Sequence, residues 1–226
     1  MSTEIFSTDI RSRFIEATIR LLAKSGPSEV KARPVATEAG LSTMGVYNYF
    51  GGVQGLLQAV ADEGFKRQAA AFSQVVNTND PMTDLCMMAF ACRNFAFENP
   101  HLYDLMFGLS ILGRYSPTRG TATHVLQEFS PSFNVSYAYL HRGCARLIED
   151  NCGLILDPDL IALQFWSTLH GFIMLELGGH FTDRTNPSLE ILMPLCINLV
   201  VGLGAERGKA ERSAASAISK WEISHP

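Results

Sequence analysis

The stretch KARPVATEAGLSTMGVYNYFGGVQGLLQAV, residues 31–60, decides the fold. Gly40 and the pair Gly51-Gly52 cut it into three pieces. Each piece carries apolar residues at helical spacing. The first is a short helix, about Ala32 to Ala39, with Pro34 tolerated because it lies in the first turn. Ser42 can cap the second, about Thr43 to Phe50. The third begins a long helix, about Val53 to Val76. Two short helices joined by Gly40-Leu41-Ser42 have the spacing of a helix-turn-helix. Ala36 and Ala39 are small enough for the two helices to cross closely. Val46 and Phe50 share one face and point to a core. Thr43, Met44, Tyr47 and Asn48 share the opposite face, and Gly45 leaves room for a partner's backbone. A recognition helix divides its sides in this way, with core behind and groove in front.

Working outward, helical periodicity dominates and no alternating strand pattern appears, so the fold class is all-α. An amphipathic helix runs from about Thr8 to Lys24 and ends at Ser25-Gly26-Pro27. Helices follow at about Met82–Glu98 and from Asn99-Pro100 to Phe107. Gly108–Gly120 reads as a loop. A helix follows from about Thr121 to Asn151, interrupted by Pro131, and another opens at Asp157-Pro158-Asp159 and runs to Leu177. Ser188–Gly204 reads as the last long helix, and Ala205–Pro226 as a mobile tail. The organisation is residues 1–52 for the helix-turn-helix domain, 53–81 for a linking helix and loop, 82–204 for a larger helical domain, and 205–226 for the tail.

Composition excludes several classes. The chain has 226 residues, 47% of them hydrophobic, too apolar for a disordered protein. Its net charge of −4 argues against coating nucleic acid by bulk charge. The charge is unevenly placed, however. Arg11, Arg13, Arg20, Lys24, Lys31 and Arg33 face only Glu16 and Glu29, while Pro34 to Ala61 holds no Lys or Arg. A basic N-terminal segment on an acidic body suggests two jobs.

The five cysteines, Cys86, Cys92, Cys144, Cys152 and Cys196, form no CxxC pair, so neither a disulfide framework nor a zinc site is expected. The N-terminus lacks a signal-peptide core. The apolar stretches Leu160–Phe181 and Leu189–Leu203 carry polar residues and do not read as membrane spans. A cytoplasmic protein is expected. No HExxH, P-loop or GxSxG appears, so no enzymatic activity, cofactor or metal is expected.

The run VAxxAGLS, then GVYxYF, then two small residues and a Leu-Leu pair resembles the N-terminal domain of TetR-family transcriptional regulators. The resemblance covers about residues 8–60. A second stretch, WSTLHGFIMLEL at Trp166–Leu177, is similar to the Trp…His-Gly segment in the C-terminal domain of one TetR subgroup. The resemblance implies a ligand-responsive DNA-binding regulator, most commonly a repressor, which a small hydrophobic or aromatic effector releases from a palindromic operator. By position it implies that Thr43, Met44, Tyr47 and Asn48 face the major groove. Tyr49 and Ser42 would reach phosphates. Lys31 and Arg33 would be the best basic phosphate contacts, with Arg11 and Arg13 as further candidates. Two departures stand out: Val53 occupies the turn where the family usually has Lys, and Lys31 occupies the usual Thr cap. A helical small-molecule-binding or interaction protein with weak or no DNA binding stays open as the alternative.

Residues 82–204 are rich in Met and Phe. Singly, each is an ordinary core side chain; together they suit an adaptable pocket. The resemblance implies an effector cavity there, with Phe90, Phe97, Met106, Phe107, Trp166, His170 and Met174 as candidate lining. The two long helices Leu160–Leu177 and Leu189–Leu203 are apolar around more than one face, which suits a homodimer seam. Ala162, Gly171 and Gly202 would permit close approach in that seam.

Overall fold

The computed structural model describes residues 2–107, 118–119, 128–150 and 157–224. Its elements are α1 (Ser2–Ser25), α2 (Ala32–Ala39), α3 (Thr43–Phe50), α4 (Val53–Ser73), α5 (Pro81–Glu98), α6 (Pro100–Met106), α7 (Pro131–Asp150), α8 (Pro158–Leu177), α9 (Met193–Gly202) and α10 (Arg207–Ser224). A two-residue antiparallel bridge, Thr118–Arg119 with Glu128–Phe129, is the only extended pairing among the described residues. The fold is all-α, as expected.

The described residues form two compact units. The first comprises Met1–Arg67 and Glu98–Val135, and the second Gln68–Phe97 and Ser136–Pro226. These units cut across the sequence segments, because α4 runs from one into the other and α6 belongs with the first.

In the first unit, α2 and α3 end in the same way. Gly40 adopts φ 64° and Gly51 φ 71°, both left-handed. The N–H of Leu41 then reaches the carbonyl of Ala36 at 2.9 Å, and that of Gly52 reaches Val46 at 3.4 Å. These bonds close each helix and reverse the chain within two residues. Behind the turn, Phe14 is fully buried and meets Phe50 edge to face at 5.9 Å. Val35, Ala36 and Val46 complete this core. Further along, Phe65 meets Phe107 at 5.7 Å and Phe133 at 5.3 Å, both edge to face.

In the second unit α5 is buried around most of its circumference. Asp84, almost wholly buried, accepts from Thr78 and from the Arg146 guanidinium at 2.6 Å, so α7 is pinned to the loop before α5. Gly143 lets α7 come close: a Cβ there would lie 2.7 Å from Leu85 Cδ2. Arg93 holds both oxygens of Glu176 at 2.7 Å.

Several sequence expectations change. Residues 205–226 are not a loose tail: α10 buries Ala210, Ala214 and Ala217, and the Thr83 hydroxyl on α5 donates to the Ser213 carbonyl at 3.0 Å. Trp221 stands 5.5 Å from the Phe90 ring. Small alanines at helical spacing gave the segment a polar look while supplying a close-packing face. The helix expected over 121–151 starts at Pro131, because proline has no N–H to donate and fits the first turn; the segment 121–127 and the loop 108–117 lie outside the described residues. Ser188–Gly204 is not one α-helix. It opens as a π turn over Ser188–Leu192 and becomes α9, since Pro194 cannot make the ordinary backbone bond.

Candidate functional site

The face of α3 away from Phe14 carries the residues expected to meet a partner. Met44 is 64% exposed and Tyr47 54%, high values for apolar side chains. Ser42, Thr43 and Asn48 are also exposed, and Tyr49 is half-buried. Ser42 occupies the N-cap with extended backbone, but its side chain makes no capping bond. Its hydroxyl and the first N–H groups of α3 are therefore available to a phosphate. Lys31 precedes α2 as its N-cap residue and Arg33 lies in its first turn; both are exposed, and neither enters an ion pair of the described residues.

One expected contact is reassigned, and two further candidates have partners within the fold. Gly45 does not face a partner: a Cβ there would lie 2.6 Å from Phe14 Cζ, so its missing side chain admits the core ring. Arg11 donates to the Tyr49 carbonyl and lies 4.5 Å over the Phe50 ring. Arg13 donates to the Ala39 carbonyl at 3.0 Å. Both guanidiniums are thus engaged at helix C-termini, where carbonyls lack partners and the dipole favours a cation. Sequence reading also missed Gly55, where a Cβ would fall 1.9 Å from the Phe50 carbonyl oxygen. It fixes how α4 leaves α3; its only signal was a third glycine in GGVQG.

The second unit contains an apolar chamber of about 30 Å³. Trp166 and His170 line it, with their rings 4.7 Å apart. Met88, Cys92, Gln68 and Ser136 face it from α5, α4 and α7. Burial pushes the His170 pKa down to about 3, so the ring is neutral. The thiol of Cys196, also in the lining, is pushed up to about 12 for the same reason.

The other five expected lining residues are elsewhere. Phe90 packs on Trp221 and Phe97 lies under the Arg93 guanidinium at 4.5 Å. Met106 and Phe107 belong to the first unit, Met106 where a Cβ on Gly64 would touch its sulfur and Phe107 with its ring tilted against Tyr103 at 4.5 Å. Met174 is half-buried and outside the lining. Each serves its own neighbours. The lining that was missed follows a periodicity the sequence does contain: Leu85, Met88, Ala89 and Cys92 recur at helical spacing on α5, as do Phe165, Trp166 and Leu169 on α8.

On α8, Leu160, Leu163 and Leu175 are 58%, 51% and 47% exposed. Gln164, Ser167 and Gly171 lie on the same exposed stripe, and nothing stands within 4 Å of a Cβ built on Gly171 or Gly202. Ala162 is different: it is fully buried inside the unit. By length and composition α8 could cross a membrane, despite its polar interruptions. Ile161, Phe165, Phe172 and Ile173 of the same helix are core residues of the second unit.

Residues 14–60 match the model of bacterial regulatory proteins of the tetR family, and residues 85–194 that of the tetracyclin repressor-like C-terminal domain. The HTH-type transcriptional regulator Rv1816 of Mycobacterium tuberculosis is 25% identical over 195 residues, 76% of this chain and 82% of that protein. Rv0681 of the same organism, another HTH-type regulator, is 25% identical over 180 residues, 76% of this chain and 72% of its own. Two solved structures share the fold. A protein of Rhodococcus sp. RHA1 has a TM-score of 0.68 at 23% identity, covering 87% of this chain and 96% of that one. RolR, solved in complex with resorcinol, has a TM-score of 0.63 at 19% identity, covering 93% and 95%. With both family regions matched in order along one chain, the protein belongs to the TetR family of transcriptional regulators.

Proposed function

We propose that the protein is a homodimeric repressor that holds a palindromic operator through α3 and releases it when a small hydrophobic or aromatic effector enters the second unit. The observation that carries this reading is the two-sided α3: Val46 is buried against the core while Thr43, Met44, Tyr47 and Asn48 stand exposed. Lys31, Arg33, the Ser42 hydroxyl and the Tyr49 hydroxyl serve as phosphate contacts. In this reading residues 1–52 bind DNA, 53–81 link, and 82–204 bind effector and dimerise.

The exposed apolar stripe of α8, with Leu195 and Gly202 of α9, supports a four-helix seam between two copies. A partner subunit, not lipid, covers it, and the protein works in the cytoplasm beside the chromosome. A two-fold dimer would set its recognition helices about 34–36 Å apart, one DNA turn. In this reading the Trp166–His170 chamber is the effector site; the resorcinol complex of RolR supports a small aromatic occupant.

A gel-shift assay with the intergenic DNA beside the protein's own gene tests this. A discrete, competitor-resistant complex is expected, and it is weakened by Asn48→Ala. No specific complex at micromolar protein would favour the alternative, a helical ligand-binding or interaction protein.

A further inference from the structure

Gln68, Ser136 and His170 bring polar atoms to the chamber lining, and the Gln68 carboxamide is the most deeply placed by its partners. Gln68 lies on α4 and is 1% exposed. The Ser136 hydroxyl donates to its Oε1 at 2.7 Å. The other end of the amide, Nε2, meets the Cys92 sulfur at 3.6 Å. A thiol sulfur is a weak acceptor, and a primary amide carries two N–H donors. One end of a deeply buried amide is therefore poorly used, in a side chain that lines the chamber. Buried polar groups ordinarily have better partners than this.

Among the described residues, no Lys, Arg, Asp or Glu lines the chamber. Its histidine is neutral and its Cys196 thiol protonated. A charged ligand would lose its water and gain no counter-charge. A purely apolar ligand would fill space but leave the amide facing sulfur. An uncharged oxygen offers the amide an acceptor.

We propose that Gln68 is the polar anchor of this chamber, and that the chamber's ligand is a small, uncharged, largely apolar molecule carrying a hydroxyl or carbonyl oxygen. The inference rests on the reading that the chamber is the effector site, and adds the ligand's chemical class and the residue that selects it. The chamber's 30 Å³ corresponds to about one water molecule, so a ligand must displace side chains to enter. Met88, unbranched and with three rotatable bonds, is the lining residue best able to yield. Gln68 also belongs to the helix that begins at Val53, just after α3 ends at Phe50. A ligand bonded to Gln68 thus acts on α4 directly.

The test is a fluorescence titration of the full chain carrying Trp221→Phe, so that Trp166 alone reports. The probes are phenol and acetophenone, compared with toluene (no oxygen) and benzoate (charged). Saturable binding of phenol or acetophenone is expected, at least tenfold tighter than toluene and benzoate. Gln68→Met is expected to lose about tenfold for the oxygen-bearing probe and nothing for toluene. Ser136→Ala, which keeps the amide, is expected to retain binding. Equal affinity for benzoate or toluene overturns the proposal, as does full phenol and acetophenone affinity in Gln68→Met, or no saturable response to either. The comparison among ligands stands even if Gln68→Met fails to fold. Operator binding measured on the same samples separates the two readings. Phenol binding that leaves operator affinity unchanged breaks the effector reading and keeps the ligand class. Operator binding by a protein that ignores both oxygen-bearing probes overturns the ligand class alone.

Discussion

Gly45 lies so close to the Phe14 ring that a Cβ would stand 2.6 Å from Cζ and 2.7 Å from Cε2. Phe14 is fully buried and cannot swing into solvent without opening the core. Gly45→Ala should therefore overpack the junction of α1 and α3 and cost about 1–3 kcal/mol. Urea or thermal unfolding reads this directly. An unchanged midpoint would mean that the ring yields freely.

DNA binding should depend only modestly on salt. Arg11 and Arg13 already donate to helix-end carbonyls, while Lys31 and Arg33 are exposed and, among the described residues, in no ion pair. Each phosphate neutralised adds roughly 0.9 to the slope of log K against log salt. Lys31→Ala and Arg33→Ala should each lower the slope by about that amount. A wild-type slope near ten would contradict this account of the contacts.

Within α3, Asn48 and Met44 should carry sequence discrimination. A carboxamide pairs well with adenine, and an exposed apolar side chain suits a thymine methyl group. Asn48→Ala should narrow the gap between specific and non-specific binding by about 1–3 kcal/mol. Competition shifts with operator and scrambled DNA measure the gap; equal losses on both would assign Asn48 to the backbone instead.

The seam is testable at Leu163 and Gly171 on α8. Leu163 is 51% exposed, and Gly171 has open space beside it. Leu163→Glu should leave the protomer folded yet shift sedimentation at micromolar concentration from dimer to monomer. Gly171→Trp should do the same by steric bulk. A protein that stays dimeric in both variants places its interface elsewhere.

His170 gives stability a pH dependence. Its pKa is held down to about 3 by burial, against an ordinary value of 6.5. Below about pH 6.5 the unfolded chain takes up a proton that the folded chain refuses, so stability falls as pH drops from 6.5 toward 3. Above that window the effect vanishes. Denaturation of wild type and His170→Phe across pH 7.5 to 4.5 should show the flatter profile in the variant. Parallel profiles would mean that the ring ionises in place.

The DNA-binding half was largely legible in the chain. Gly40 and Gly51 announced helix breaks, Pro27 and Gly26 a helix end, and Val46 with Phe50 a buried face. These are local rules, satisfied within a few residues. The same reading misassigned Gly45, because the absence of a side chain does not say which neighbour needs the space. It also gave no hint of the carbonyls that Arg11 and Arg13 reach, which lie 38 and 26 residues away in sequence.

The chamber was hardly legible at all. Trp166 and His170 were found through a motif, whereas Gln68, in a long helix of mixed character, gave no signal. Phe90, Phe97, Met106, Phe107 and Met174 were chosen for their chemistry, and none lines the chamber. Large apolar side chains everywhere prefer burial, so composition cannot distinguish those that meet a cavity from those that meet each other.

The sequence by itself determined the all-α class, the helix-turn-helix and the two faces of α3, because helical period and glycine conformation act over a few residues. Only the tertiary structure decided that Gly45 serves Phe14, that α10 is docked instead of loose, and that a buried amide from α4 lines a chamber with Trp166 and His170. These are contacts between residues distant in the chain, and no local rule records which of many apolar surfaces will meet.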